Sequence, residues 1–156
     1  LYDGEHFLES RHIAMQVGHC AADGTIAVET PALGHVGGVI IGPSAFPFEI
    51  ERTAECVDQR LIGRDQSLLV CPATTDAFQL AQRRGWAQTI RNAGGSVLDV
   101  GLVRRLGAGG LVALASGGEG RPVIVTSPLP DHAASGRPAI ILAGARTAIQ
   151  YGLGLA

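Results

Sequence analysis

With 156 residues, 46% of them hydrophobic, and a formal net charge of −2, the chain fits one domain, which at this size buries about 70% of its unfolded surface. So small a charge gives no electrostatic case for nucleic acid or for an anionic membrane. All 12 basic residues are arginine, which excludes any mechanism that needs a Schiff-base or phosphate-binding lysine.

Leu1 to Gly37 reads as an irregular edge segment in which Ile13, Met15 and Val17 alternate as in an edge strand, and Thr30-Pro31 starts a turn. Strand–helix repeats then fill 38–156. Gly38 to Gly42 is a short apolar run expected to form a buried strand, followed by Pro43-Ser44. From Phe48 to Leu61 the spacing of Ile50, Ala54, Val57 and Leu61 predicts a helix, ended by Gly63. Ser67 to Cys71 predicts a second buried strand, and Pro72 to Asp76 supplies turn and N-cap chemistry for a helix with Phe78, Leu80 and Ala81 inward. Gly85 breaks it, and a shorter turn through Trp86 and Ile90 reaches a cap at Ala93-Gly94-Gly95. Ser96–Val100, Pro122–Thr126 and Pro138–Leu142 predict three more strands, and a last helix spans about Ala143 to Tyr151. Alternating helices with continuous apolar strands imply a three-layer α/β/α domain with a mainly parallel sheet, covered on both faces and joined by right-handed crossovers.

Cys20, Cys56 and Cys71 form no C-x-x-C pair, so neither a zinc ribbon nor a redox motif is present, and reduced, packed thiols in a cytoplasmic protein are expected. No basic-then-apolar leader pattern occurs, and no apolar run approaches the ~18 residues of a membrane span. The chain opens on Leu1, as a piece of something longer would.

The run from Ala93 to Gly107, with Gly101-Leu102-Val103-Arg104-Arg105-Leu106-Gly107 at its end, resembles a stretch of the aconitase and 3-isopropylmalate dehydratase large-subunit family. That stretch reads A-G-x-V-V-L-P-P-G-C-G-P-C-L-G. Val17 to Val28 is similar to the family's V-x-x-P-x-S-P-D-N-V-x-P-V, and Val39 to Phe46 to its V-F-I-G-S-C-T-N. Val70 to Thr74 resembles V-V-P-A-S, Leu80 to Trp86 resembles A-L-x-x-G-L, and Ile141 to Ala148 resembles Y-L-A-S-P-A-x-A. The resemblance covers nearly the whole chain and implies one domain over 1–156, similar to the cluster-bearing third domain of that subunit. It also implies a hydro-lyase or isomerase ancestry acting on hydroxy di- or tricarboxylic acids. Other aconitase-like domains or a small swivelling subunit are the partners it implies.

In the family three cysteine thiolates hold a 4Fe–4S cluster, and an iron without a thiolate ligand binds substrate. Ser44, Leu102 and Arg105 occupy those three positions here, so the resemblance implies a cluster-free, degenerate member. Where the family has T-S-N-R-N-F-x-G-R, this chain has Thr126-Ser127-Pro128-Leu129-Pro130-Asp131-His132. Thr-Ser is kept, and the Asn-Arg-Asn of the carboxylate-gripping region is lost.

Ser44, Ser127 and Arg105 are expected at the carboxyl ends of parallel strands, where open α/β sheets bind ligands. Arg104 and Arg105 could together hold a small carboxylate by bidentate hydrogen bonds, or form a solvated pair of charges. The resulting expectation is a structural or carboxylate-binding domain without a cofactor. The alternative is a metal-independent lyase or isomerase with acid–base chemistry from Ser44, Ser127, Asp131 or His132. Adjacent Asp131 and His132 point differently, however, and do not by themselves make a relay. His6, His12, His19 and His35 match no common metal spacing. Gly117-Gly118-Glu119-Gly120-Arg121 precedes a strand instead of opening a helix, so it fails the context of a phosphate loop and reads as a surface turn. Gly107-Ala108-Gly109-Gly110 reads the same way.

Overall fold

The computed structural model describes residues 16–20, 26–29, 36–117, 120–128 and 140–155. Among the described residues seven strands form one sheet: β1 (Gln16–Cys20), β2 (Ile26–Glu29), β3 (Gly38–Ala45), β4 (Ser67–Pro72), β5 (Ser96–Val97), β6 (Val123–Val125) and β7 (Ile140–Leu142). Their spatial order is β2-β1-β7-β6-β3-β4-β5. The five strands from β7 to β5 run parallel, while β1 pairs antiparallel with β7, and β2 antiparallel with β1. The chain is thus a mainly parallel α/β domain.

Alternation along the strands separates two cores. Val39 and Ile41 of β3 join Leu68, Val70, Ile124 and Ile141 on one face. Helices α1 (Pro47–Val57), α2 (Thr75–Arg83) and α3 (Trp86–Asn92) cover that face, together with α5 (Ala145–Thr147), which runs on as π-helical turns over Ala148–Gly152. Ile40, Leu69, Cys71, Val123 and Val125 point the other way, against Leu111, Val112 and Ala115 of α4 (Val100–Ser116). Both faces of the central strands are therefore buried, which is why those strands read as unbroken apolar runs rather than alternating ones.

Several elements differ from expectation. Helix α1 stops at Val57, where Asp58 is extended and Gln59 takes φ 59°. Arg60 N–H closes a turn on the Val57 carbonyl at 3.0 Å, so Leu61 lies outside the helix and 79% exposed, not on its inward face. Strand β5 is only two residues long, because the Asp99 carboxylate accepts the Leu102 N–H at 2.9 Å and starts α4. The glycines from 107 to 110, expected in a surface turn, lie within α4. Gly107 (φ 64°, ψ −179°) breaks it into two helical stretches. The last helix begins two residues later than expected and widens into π-helical turns. Ile13, Met15, the Thr30-Pro31 turn and the start of the predicted 138–142 strand lie outside the described residues.

Close backbone approach seats α4 on the sheet. A Cβ at Gly38 would overlap the Ala115 carbonyl oxygen and lie 2.7 Å from that of Ser67. Gln66 fastens the amino edge by donating from Nε2 to the carbonyls of Val36, at 3.2 Å, and Gly152, at 2.7 Å. No helix among the described residues is long and apolar enough to cross a membrane.

Candidate functional site at the carboxyl ends of β3 and β6

From β3 the chain steps outward to β4 and β5, then returns across the sheet to lay β6 on the other side of β3. The winding reverses between β3 and β6. Such a topological switch point is where open α/β sheets place ligands, because the flanking connections diverge and leave a crevice beyond the strand ends.

The two strands are fastened past their regular ladder. Thr126 N–H donates to the Ile40 carbonyl and Ser127 N–H to the Gly42 carbonyl, both at 3.1 Å. Gly42 N–H in turn donates to the Thr126 hydroxyl at 2.8 Å. Gly42 has φ 131°, and a Cβ there would lie 2.9 Å from the Cys71 carbonyl oxygen on β4. Only glycine suits that position. The Gly42–Pro43 peptide that follows is cis. Ser44 is exposed and Ser127 half-buried, so two hydroxyls flank the switch point, one on each strand end. Of the residues singled out from the sequence, the fold brings these two to one place.

Arg104 and Arg105 do not join them. Both lie on α4, not in a loop at a strand end, because Val103 and Leu106 pack toward the sheet at helical spacing and leave the arginines exposed. The Arg105 guanidinium leans back along the helix, with Nη1 at 3.5 Å from where a Cβ on Gly101 would stand. Helix α4 starts beyond β5, two strand spacings or about 10 Å from β3. Asp131, His132, His6, His12 and His35 lie outside the described residues, and His19 falls in β1.

The helix end nearest Ser44 is not an anion site. Pro47 at its first position lacks an N–H, and the Glu49 carboxylate already accepts the Phe46 N–H at 3.1 Å. Cys71 stands next to last in β4, beside Gly42. It is fully buried, and burial pushes its thiol up to about 12, so it stays protonated at neutral pH and is a poor nucleophile or metal ligand.

The 4Fe–4S cluster implied by the resemblance does not fit these side chains. The positions that the resemblance aligns with its three thiolates carry a hydroxyl at the end of β3 and an aliphatic side chain and a guanidinium on α4, and β4 and β5 intervene between the first and the other two. Among the described residues, no three His, Cys, Asp or Glu side chains are grouped to hold a metal ion.

Sequence reasoning missed two participants, Gly42 and the Thr126 hydroxyl. A glycine and a threonine ending two apolar runs were visible, but their pairing depends on strand order. An open groove of about 340 Å³ lies elsewhere, between the C-terminal ends of α1 and α3, where Asp58, Thr89 and Asn92 help line it. Helices α1 and α3 return against the strand direction, so this groove is at the amino edge of the sheet. It contains none of the candidate site residues read from the sequence.

The chain matches no protein-family model and no curated protein.

Proposed function

We propose that this chain is a cluster-free, aconitase-like domain that binds a small hydroxycarboxylate at the β3/β6 switch point without turning it over. The observation that carries this reading is the placement of Ser44 and Ser127 on opposite sides of that point. Ser127 uses its N–H to hold Gly42, so its hydroxyl is the group left to meet a ligand. Two neutral hydroxyls can donate to carboxylate oxygens or exchange hydrogen bonds with a ligand hydroxyl.

Such bonds orient a ligand but do not lower the barrier to losing water from a hydroxy acid. That step needs a Lewis acid on the departing hydroxyl and a base for the weakly acidic carbon, and a general base alone contributes about 10²–10⁴-fold. Glu49, the acidic group closest in sequence to Ser44, is held by the Phe46 N–H. A cytoplasmic setting and assembly with further aconitase-like domains, or with a small swivelling subunit, belong to the same proposal.

Titration calorimetry of the full chain with malate, citrate and isopropylmalate tests the reading. Saturable heat that disappears in the Ser44→Ala, Ser127→Ala double variant and persists in the Arg104→Ala, Arg105→Ala variant supports it. The reverse pattern moves the site onto α4.

A further inference from the structure

The chain has seven aromatic residues, Phe 4, Trp 1 and Tyr 2, and two of them stand in solvent beside the switch point. Phe46 is 47% and Phe48 60% exposed. Their rings are stacked, with centroids 6.2 Å apart and planes 12° from parallel. Domains of this size usually turn rings inward, where they contribute most to the core.

Backbone geometry links the pair to Ser44. Residues 44 and 45 end β3, and Phe46 continues in extended conformation at φ −80°, ψ 160°. Side chains on extended backbone alternate sides, so Ser44 and Phe46 project to the same side about 7 Å apart, with Ala45 turned into the core between them. Phe48, in the first turn of α1, backs the Phe46 ring. A molecule hydrogen-bonded to Ser44 therefore has Phe46 as its next neighbour on that side.

The geometry points to a narrower ligand class: a hydroxycarboxylate carrying a flat, aromatic or unsaturated tail, its carboxylate on Ser44 and its tail stacked on the Phe46–Phe48 pair. This inference rests on the binding reading above and names the part of the ligand that the serines do not touch. The rings are too close to admit a tail between them, so the tail takes an outer ring face. One such stack gains about 2- to 12-fold in affinity.

Malate and 3-phenylmalate serve as probes, titrated into the full chain by calorimetry. The expected result is 3-phenylmalate binding about 2- to 12-fold tighter than malate, with the preference lost in a Phe46→Leu, Phe48→Leu double variant that still binds malate. Leucine keeps apolar bulk, and circular dichroism confirms that the variant folds. Malate binding with no preference for the phenyl compound overturns the inference and leaves the serine site standing. No binding of either acid overturns both. Concentration-dependent dimerisation in sedimentation, abolished by the same double variant, assigns the rings to a second copy and also overturns it.

Discussion

Gly42 and Thr126 are joined across β3 and β6 by a 2.8 Å hydrogen bond from the Gly42 N–H to the Thr126 hydroxyl. Strand pairing has ended there, since the β3–β6 register runs from Gly38 opposite Val123 to Ile40 opposite Val125. A side chain thus joins the two backbone bonds, from Thr126 N–H to the Ile40 carbonyl and from Ser127 N–H to the Gly42 carbonyl, that hold the strand ends together past the register.

Replacing Thr126 with valine keeps the shape and removes the acceptor. The part-buried Gly42 N–H then lacks its partner, which costs about 1–3 kcal/mol. Urea unfolding should show a lower midpoint for Thr126→Val, while Thr126→Ser recovers most of the difference. Equal midpoints for all three proteins would show that water satisfies Gly42 and that the bond does not hold the strand ends.

Glycine at 38 and at 107 is needed for two different reasons. At Gly38 a Cβ meets backbone oxygens of Ala115 and Ser67 that cannot rotate away, so Gly38→Ala must push α4 off the sheet, a core overpacking that costs about 1–3 kcal/mol or more. At Gly107 space is open, but φ 64° with ψ −179° is a region that essentially glycine alone occupies. Gly107→Ala should destabilise by about 1–3 kcal/mol, or straighten α4. A helical signal in circular dichroism that rises in Gly107→Ala, together with unchanged stability, would show that the break is not required by the fold.

The parallel sheet was legible because each central strand is buried on both faces and so reads as an unbroken apolar run, as Val39-Ile40-Ile41 and Val123-Ile124-Val125 do. Helix α4 was not. Gly107, Gly109 and Gly110 depress helix propensity locally, and what holds the segment helical is the packing of Leu111, Val112 and Ala115 on the sheet. Leu61 misled for the complementary reason: its spacing from Val57 fits a helix, but the chain turns away at Asp58 and Gln59. For the site, Ser44 and Ser127 were each visible as residues. Their relationship was not, because it depends on β6 returning to the far side of β3, a non-local choice that no short motif encodes.

Burial of Cys71 makes stability fall at high pH. Its thiol rises from the ordinary 9.0 to about 12 in the folded chain, so the unfolded state loses this proton first. The stabilising effect is fully present below about pH 9 and is lost as pH climbs toward 12, at about 1.4 kcal/mol per pH unit. Urea midpoints measured from pH 8 to 10.5 should fall more steeply for the natural chain than for Cys71→Ala. Parallel curves would mean that the thiol ionises in the folded state as readily as in the unfolded one.

Anaerobic incubation with iron and sulfide should leave the chain without a stoichiometric cluster. Iron–sulfur clusters are held by thiolates, and the three positions aligned with the family's ligands carry a hydroxyl, an aliphatic group and a guanidinium. The last places a fixed positive charge at a position where the cluster's metal would otherwise be held. Nor can Cys56 and Cys71 rebuild the site together. Cys56 lies in α1 on one face of the sheet, and Cys71 lies in β4 facing the other core, with its proton held by burial. Visible absorbance and iron content after desalting read the outcome. A cluster at one per chain that is lost on Cys71→Ala or Cys56→Ala would overturn the cluster-free reading. Retention in both variants would show that the iron is held without either thiol.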